Sequence, residues 1–358
     1  MTRAKRRHLI YNTVTFGLVI AAYVLLQVMA GNGLLSRSLR GQLVPICCWI
    51  VMAVSLNLVV GISGELSLGH AGFMSVGAFT GIVVSGWLAN TMQMEDEVLR
   101  LVLSMAAGGI LAGVAGVLIG IPVLRLKGDY LAIVTLAFGE IIRNVINCVY
   151  ISVDEAGLHF GFLDNKLPGS LLLNGPNGAV GVKKIATFTA GFILVILTLI
   201  IVLNLINSRS GRAIQAIRDA RIAAESVGIP VTKYRMMAFV TSAVLAGLAG
   251  ALYGLNYNTL VAGKFKFDQS INVLVFVVLG GIGNTLGSVI SATALTVLPE
   301  TLREFGQFRM LIYAVVLILV MLATNNPTMK AVAGRLSAPL RRMFRRGGDG
   351  QAAGGEVK

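Results

Sequence analysis

Residues 41–94 read GQLVPICCWIVMAVSLNLVVGISGELSLGHAGFMSVGAFTGIVVSGWLANTMQM. A single formal charge, Glu65, interrupts them. About 20 apolar residues carry a helix across roughly 30 Å of hydrocarbon, and 41–64 and 66–94 each reach that length. Helices satisfy their own backbone hydrogen bonds in lipid, whereas a membrane barrel would show short alternating segments. Glycines 61, 64, 69 and 72 punctuate the stretch where its two halves meet. The reading is therefore membrane helices with a break between them.

Working outward, six more stretches run 20 or more residues without Asp, Glu, Lys or Arg: 9–36, 101–124, 185–208, 236–263, 269–299 and 310–329. Another apolar segment, 130–150, contains Glu140 and Arg143. The whole chain is 56% hydrophobic and 13% charged, against about 25% charged in soluble domains. This pattern predicts an all-α polytopic membrane helix bundle of about 8–10 transmembrane segments, including broken or re-entrant helices. The first apolar run exceeds the usual core of a secretory signal, so a retained helix is expected there.

The net charge of +14 does not point to nucleic acid, because the cations lie between and beyond the apolar runs. Lys and Arg cluster at 3–7, 125–127, 209–235 and 330–346, which together hold 18, against nine at 31–41, 151–185, 257–270 and 299–309. The positive-inside rule places the first set in the cytoplasm. The expected division is a cytoplasmic basic N-terminus at 1–10, a transmembrane domain at 11–328 and a cytoplasmic basic, disordered tail at 329–358. Within the transmembrane domain, 207–235 is cytoplasmic and 151–185 is an outer loop. Parity then requires 271–298 to begin and end on the outer side. As one helix its 28 residues would measure about 42 Å. Gly280, Gly281 and Gly283 break it, which favours a re-entrant hairpin or two tilted arms over one long tilted helix.

No catalytic constellation stands out. The phosphate loop Gly-x-x-x-x-Gly-Lys-Ser/Thr is absent. The three histidines, His8, His70 and His159, form no metal pair, and Cys47, Cys48 and Cys148 form no spacing ladder. No metal or cofactor is expected in this chain.

Three segments carry candidate function. In 207–235, Ala213, Ile217, Ala220, Ala224 and Val227 recur at helical spacing, and Gly228 with Pro230 forms a stop. A cytoplasmic helix with a turn in it follows, suited either to a groove on a partner or to an anionic lipid surface. Gly61, Gly64, Ser67, Gly69, His70 and Gly72, with Gly280, Gly281 and Gly283, either line a translocation path built on broken helices or make tight glycine-faced turns. For His70 a structural hydrogen bond is the preferred role. The runs 59–64 and 278–283 look alike and hint at an internal repeat. Glu140 and Arg143, three residues apart, neutralise each other inside the membrane. An ion pair is favoured over a proton relay, since the arginine keeps the carboxylate ionised.

These residues resemble a known family. Ser55-Leu-Asn-Leu-Val-Val-Gly with Leu66-Ser-Leu-Gly-His-Ala, Gly128-Asp-Tyr-Leu-Ala-Ile-Val-Thr-Leu-Ala-Phe-Gly-Glu-Ile-Ile-Arg, Ser210-Gly-Arg-Ala-Ile-Gln-Ala-Ile-Arg-Asp, Ala223-Ala-Glu-Ser-Val-Gly-Ile and the glycine break at 280–287 are similar to permease subunits of ATP-binding-cassette (ABC) importers for branched-chain amino acids, the LivM-like branch. The resemblance implies a bacterial inner-membrane subunit with both termini cytoplasmic. It implies a second related permease, two cytoplasmic ATP-binding subunits that use the ATP, and a periplasmic substrate-binding protein. It implies ATPase coupling through Gly211, Arg212, Arg218, Ala223, Ala224, Glu225 and Gly228. Urea and short-amide permeases share these core motifs, and a stand-alone secondary transporter or channel is the alternative of another class.

Overall fold

The computed structural model describes residues 3–32, 36–126, 128–154, 157–162 and 168–325, and divides into two units, Met1–Glu300 and Thr301–Lys358. The basic tail expected at 329–358 lies outside the described residues. In the first unit, α1 (Arg3–Gly31) is followed by α2 (Arg37–Asn57), α3 (His70–Asn90), α4 (Glu97–Val123), α5 (Asp129–Cys148) and α6 (Phe188–Asn207). Then come α7 (Arg209–Asp219), α8 (Arg221–Ser226), α9 (Val231–Gly254), α10 (Phe267–Gly280) and α11 (Thr285–Thr301). In the second unit a 3₁₀ stretch, Leu302–Phe308, leads into α12 (Arg309–Asn325).

Six helical stretches are long and apolar enough to cross a membrane: Ser38–Ser63, α3, α4, α5, α6 and α9. Shorter apolar helical stretches lie at Thr15–Met29, Phe267–Gly280 and Met310–Leu322. The all-α membrane bundle expected from the charge-free runs is thus the observed architecture.

The core is the packing of α3, α4 and α9. Where these helices cross, glycine replaces side chain. A Cβ on Gly77 would strike the Gly247 backbone, one on Gly250 would strike Met74, and one on Gly81 would press on Ala251. Lipid tails are as apolar as leucine, so helices in a bilayer gain from close van der Waals approach, which small residues permit.

The segment expected as an outer loop, 151–185, carries short strands. β1 (Val149–Asp154) pairs antiparallel with β2 (Gly157–Phe162) and with β3 (Ser170–Asn174). β4 (Ala179–Val180) pairs with β5 (Thr259–Leu260), which ties this region to the chain leaving α9. His159 stands on β2, opposite Ser152.

The long apolar run 271–298 is not one helix. α10 ends at Gly280, the chain turns through Gly281 (φ 90°) and Gly283 (φ 83°), and α11 returns. A Cβ on either Gly280 or Gly287 would collide with the other's backbone, and Ser291 Oγ donates to the Phe276 carbonyl at 2.5 Å. The arms therefore meet near the tip. At 14 and 17 residues they measure about 21 and 26 Å, each short of a full crossing. Glu300, in the last turn of α11, accepts from Ser38 at the start of α2. The tip lies at the far end of α2, where the Gly283 amide donates to Asn57. The hairpin's tip and the end of its second arm therefore lie at opposite ends of α2.

Candidate functional site

The break in the first quoted stretch is built from α2 downward. After Asn57 the helix widens into a π-helical turn, Leu58–Ser63, and stops at Gly64, whose φ of 75° suits glycine. Residues 64–69 have no regular secondary structure, and α3 begins only at His70 rather than near 66, where its apolar run starts. Non-helical backbone at membrane depth needs partners from the protein, and it has them. Leu68 N donates to Thr135 Oγ1 (3.1 Å), and Ala71 N donates to Ser270 Oγ (3.1 Å). Gly69 lies against the Thr135 carbonyl and Gly72 against Gly139, both on α5. His70 is buried and shares a 2.8 Å hydrogen bond, Nε2 to Oγ, with Ser55, whose carbonyl accepts from Ser242 Oγ at 2.7 Å. Ser67 Oγ is buried with no hydrogen-bond partner.

The second break comes back to the first. Gly283 N donates to Asn57 Oδ1 at 2.8 Å, and a Cβ on Gly61 would run into Gly283. The two glycine runs that look alike in sequence thus touch at one end of the bundle. Gly61, Gly280, Gly281 and Gly283 gather there. Gly69 and Gly72 sit against α5, His70 is bonded to Ser55 of α2, and Ser67 is buried. An apolar groove of about 320 Å³ between α1, α2, α6 and α11, and another of about 530 Å³ between α4 and α6, are lined by none of these nine residues.

The same end carries α7 and α8. Ser208 caps α7, accepting from Gly211 N at 3.0 Å. Helix α7 buries Gly211, Ile214 and Ile217. Ile214 packs with Leu58, Ile62 and Ala238, while Ile217 packs with Ala224 and Val231. The single face through Ala213, Ile217, Ala220, Ala224 and Val227 does not run through. The chain breaks at Ala220 (φ −152°, ψ 84°) and re-aims α8. Ala224 stays inside, whereas Ile222 and Val227 are 84% and 80% exposed. Arg212, Ala223 and Glu225 face outward, Glu225 pairing with Arg221 at 3.0 Å. Gly228, at φ 83°, stops the segment.

Two further features join this end. Glu65 forms an ion pair with Arg235, whose Nη1 also donates to the Leu124 carbonyl at 3.4 Å. Both side chains are largely enclosed, at 3% and 11% exposed. Nothing in the sequence pointed to this pair, because Glu65 stands there only as the single charge between two apolar runs. Asn57 was equally hidden, since one amide in an apolar helix carries no spacing signal.

Glu140 and Arg143 pair as expected, with Arg143 Nη2 and Nε each 2.7 Å from Glu140 Oε2. Glu140 Oε1 accepts from Phe267 N at 3.3 Å. They border the least covered of the six long spans. Its open face carries Tyr130, Ile133, Ala137, Ile141 and Asn144. The open face of α4 is different, aliphatic throughout at Val102, Leu103, Ile110, Val114 and Leu118. A face of hydrocarbon suits lipid, whereas an amide and an ion pair at mid-helix do not.

A multi-pass membrane protein is defined by these elements, with discontinuous helices braced at one end by a short helical segment outside the spans. The sequence pattern of the family described as branched-chain amino acid transport system / permease component matches residues 39–324, and the chain belongs to that family. It is 33% identical over 308 residues to the high-affinity branched-chain amino acid transport system permease protein LivM of Salmonella typhimurium, covering 80% of this chain and 70% of that protein. It is 33% identical over 288 residues to the LivM of Escherichia coli K12, covering 76% and 66%. The chain thus spans about two thirds of the length of these relatives. The ribose import permease protein RbsC of Escherichia coli K12 is 26% identical over 290 residues, covering 77% and 82%. No solved structure matches the chain.

Proposed function

We propose that this chain is the permease subunit of an ABC importer that moves branched-chain amino acids across the bacterial inner membrane, driven by ATP hydrolysis in partner subunits. The observation that carries this reading is the α7–α8 segment. It is anchored inward on the turn that ends α2 and on α9, and it presents Ile222 and Val227, 84% and 80% exposed. Paired aliphatics on a short helix suit a groove on a folded partner. In this reading Arg212, Ala223 and Glu225 dock beside them, with Gly211 and Ala224 packing inward and Gly228 ending the rod. The six cations at 209–235 favour a cytoplasmic position for this end, and the basic clusters at 3–7 and 330–346 favour the same for both termini.

The open face of α5 is read as turned toward a second related permease, with the solute passing between them, past Glu140, Arg143 and Asn144. A periplasmic substrate-binding protein delivers to the opposite end, where the small sheets stand. The nine glycine-rich residues then control the path by packing and hinge-like turns. The 33% identity to LivM proteins favours branched-chain amino acids. The similarity to permeases named for ribose and fructose favours, as second reading, a small polar solute; urea and short amides belong with it.

The test is uptake by the complete transporter in proteoliposomes. ATP-dependent leucine uptake, outcompeted by isoleucine and valine and untouched by ribose, fructose or urea, is the expected result. Uptake that proceeds without ATP or partner subunits supports a stand-alone transporter instead.

A further inference from the structure

Sequence context groups Arg218 with the residues that face the ATPase, but its side chain takes another course. Nη1 donates to the Gly61 carbonyl at 2.9 Å. The stem lies over Gly64, where a Cβ would meet Arg218 Cγ. Only Nε and Nη2 turn to Asp219, each at 2.9 Å. Gly61 belongs to the π-helical turn at the end of α2, where the last carbonyls lack helical partners. A cation is favoured there by the helix dipole.

Gly61 in turn abuts Gly283, and Asn57, four residues back on the same element, accepts from Gly283 N. One guanidinium therefore reaches, through Gly61 and Asn57, the tip of the α10–α11 hairpin. The apolar contact of Ile214 with Leu58 and Ile62 holds α7 down but has no direction. The hydrogen bonds fix its register.

We propose that Arg218 is a positioning residue that ties α7 to both broken helices, so that a displacement of α7 moves the 58–64 turn and the 281–284 tip together. This rests on the reading that α7 and α8 are driven by an ATP-binding partner. Arg218 acts through Gly61 and Asn57. It neither touches the solute nor grips the partner.

The test measures solute uptake and ATP hydrolysis together in proteoliposomes holding the complete transporter. Arg218→Gln removes the charged donor, one of the stronger kinds of hydrogen bond. Uptake per ATP is expected to fall about tenfold or more, with ATPase stimulation retained. Arg218→Lys restores part of the ratio. Asn57→Ala lowers the ratio as well, and the double variant is no worse than the poorer single one, since the two act in series. Loss of ATPase stimulation in step with uptake overturns the proposal in favour of docking. An unchanged ratio in Arg218→Gln, or in both Arg218→Lys and Asn57→Ala should the glutamine variant not fold, overturns it too. Absence of ATP-driven uptake by the unaltered transporter removes the underlying reading itself, a result no variant is needed to see.

Discussion

Glu65 and Arg235 show how a single pair can fix an irregular segment. The irregular stretch 64–69 offers few backbone bonds of its own, and this pair fastens its start to the start of α9 and to the end of α4. Removing one partner leaves an enclosed charge uncompensated, which costs about 3–5 kcal/mol. Glu65→Ala should therefore lower the melting temperature in detergent markedly, and Glu65→Leu with Arg235→Leu should lower it less than either single change. Gly64 makes a second point at this scale. Its φ of 75° and the Arg218 stem above it both oppose a side chain. Gly64→Ala should cost about 1–2 kcal/mol from the left-handed backbone alone, read as a shift in thermal unfolding.

Among the elements, α8 is six residues long and keeps only Ala224 inside. Its exposed side chains do nothing for the fold, so Ile222→Asp and Val227→Asp should change stability by no more than about 0.5 kcal/mol. Co-purification with the ATP-binding subunit should be lost in both. Retained co-purification would remove α8 from the docking surface. The α10–α11 hairpin was legible because three glycines stand within four residues in the middle of an apolar run, too long for one span. The inward face of 207–235 was not. A helical wheel assumes continuous rotation, and the break at Ala220 resets it, so Ile214 packs inward while Val227 turns out. The π-helical turn and the late start of α3 were hidden for a related reason. Hydropathy reports burial and says nothing of which backbone amide finds which hydroxyl, and Thr135 and Ser270 lie far along the chain from the segment they satisfy.

For the whole molecule, charge distribution and packing make two claims that labelling can check. In a cysteine-free background, Arg212→Cys should react with an impermeant thiol reagent from the cytoplasmic side only, and Lys183→Cys from the periplasmic side only. The reverse pattern would invert the bundle. Faces can be told apart in the same way: if α5 is turned toward a second related permease as proposed, Ile133→Cys and Asn144→Cys should cross-link to it, whereas Val114→Cys on α4 should not. The overall bundle was readable because charge-free runs of 20 or more residues leave few alternatives in water or lipid. The small sheets at 149–180 escaped notice because glycine, proline and asparagine between short strands read as loop.

The stretch between Gly64 and His70 has no regular secondary structure, yet Glu65, Ser67 and Gly69 are buried and the amides of Glu65 and Leu68 are hydrogen-bonded. Solvent deuterium should consequently reach it slowly. In a mass-spectrometric exchange experiment this ribbon should keep its protons about as long as the helices around it, and far longer than the helical but outward-facing α8. Kinetic shielding is thus expected to follow burial and hydrogen bonding here more closely than helicity.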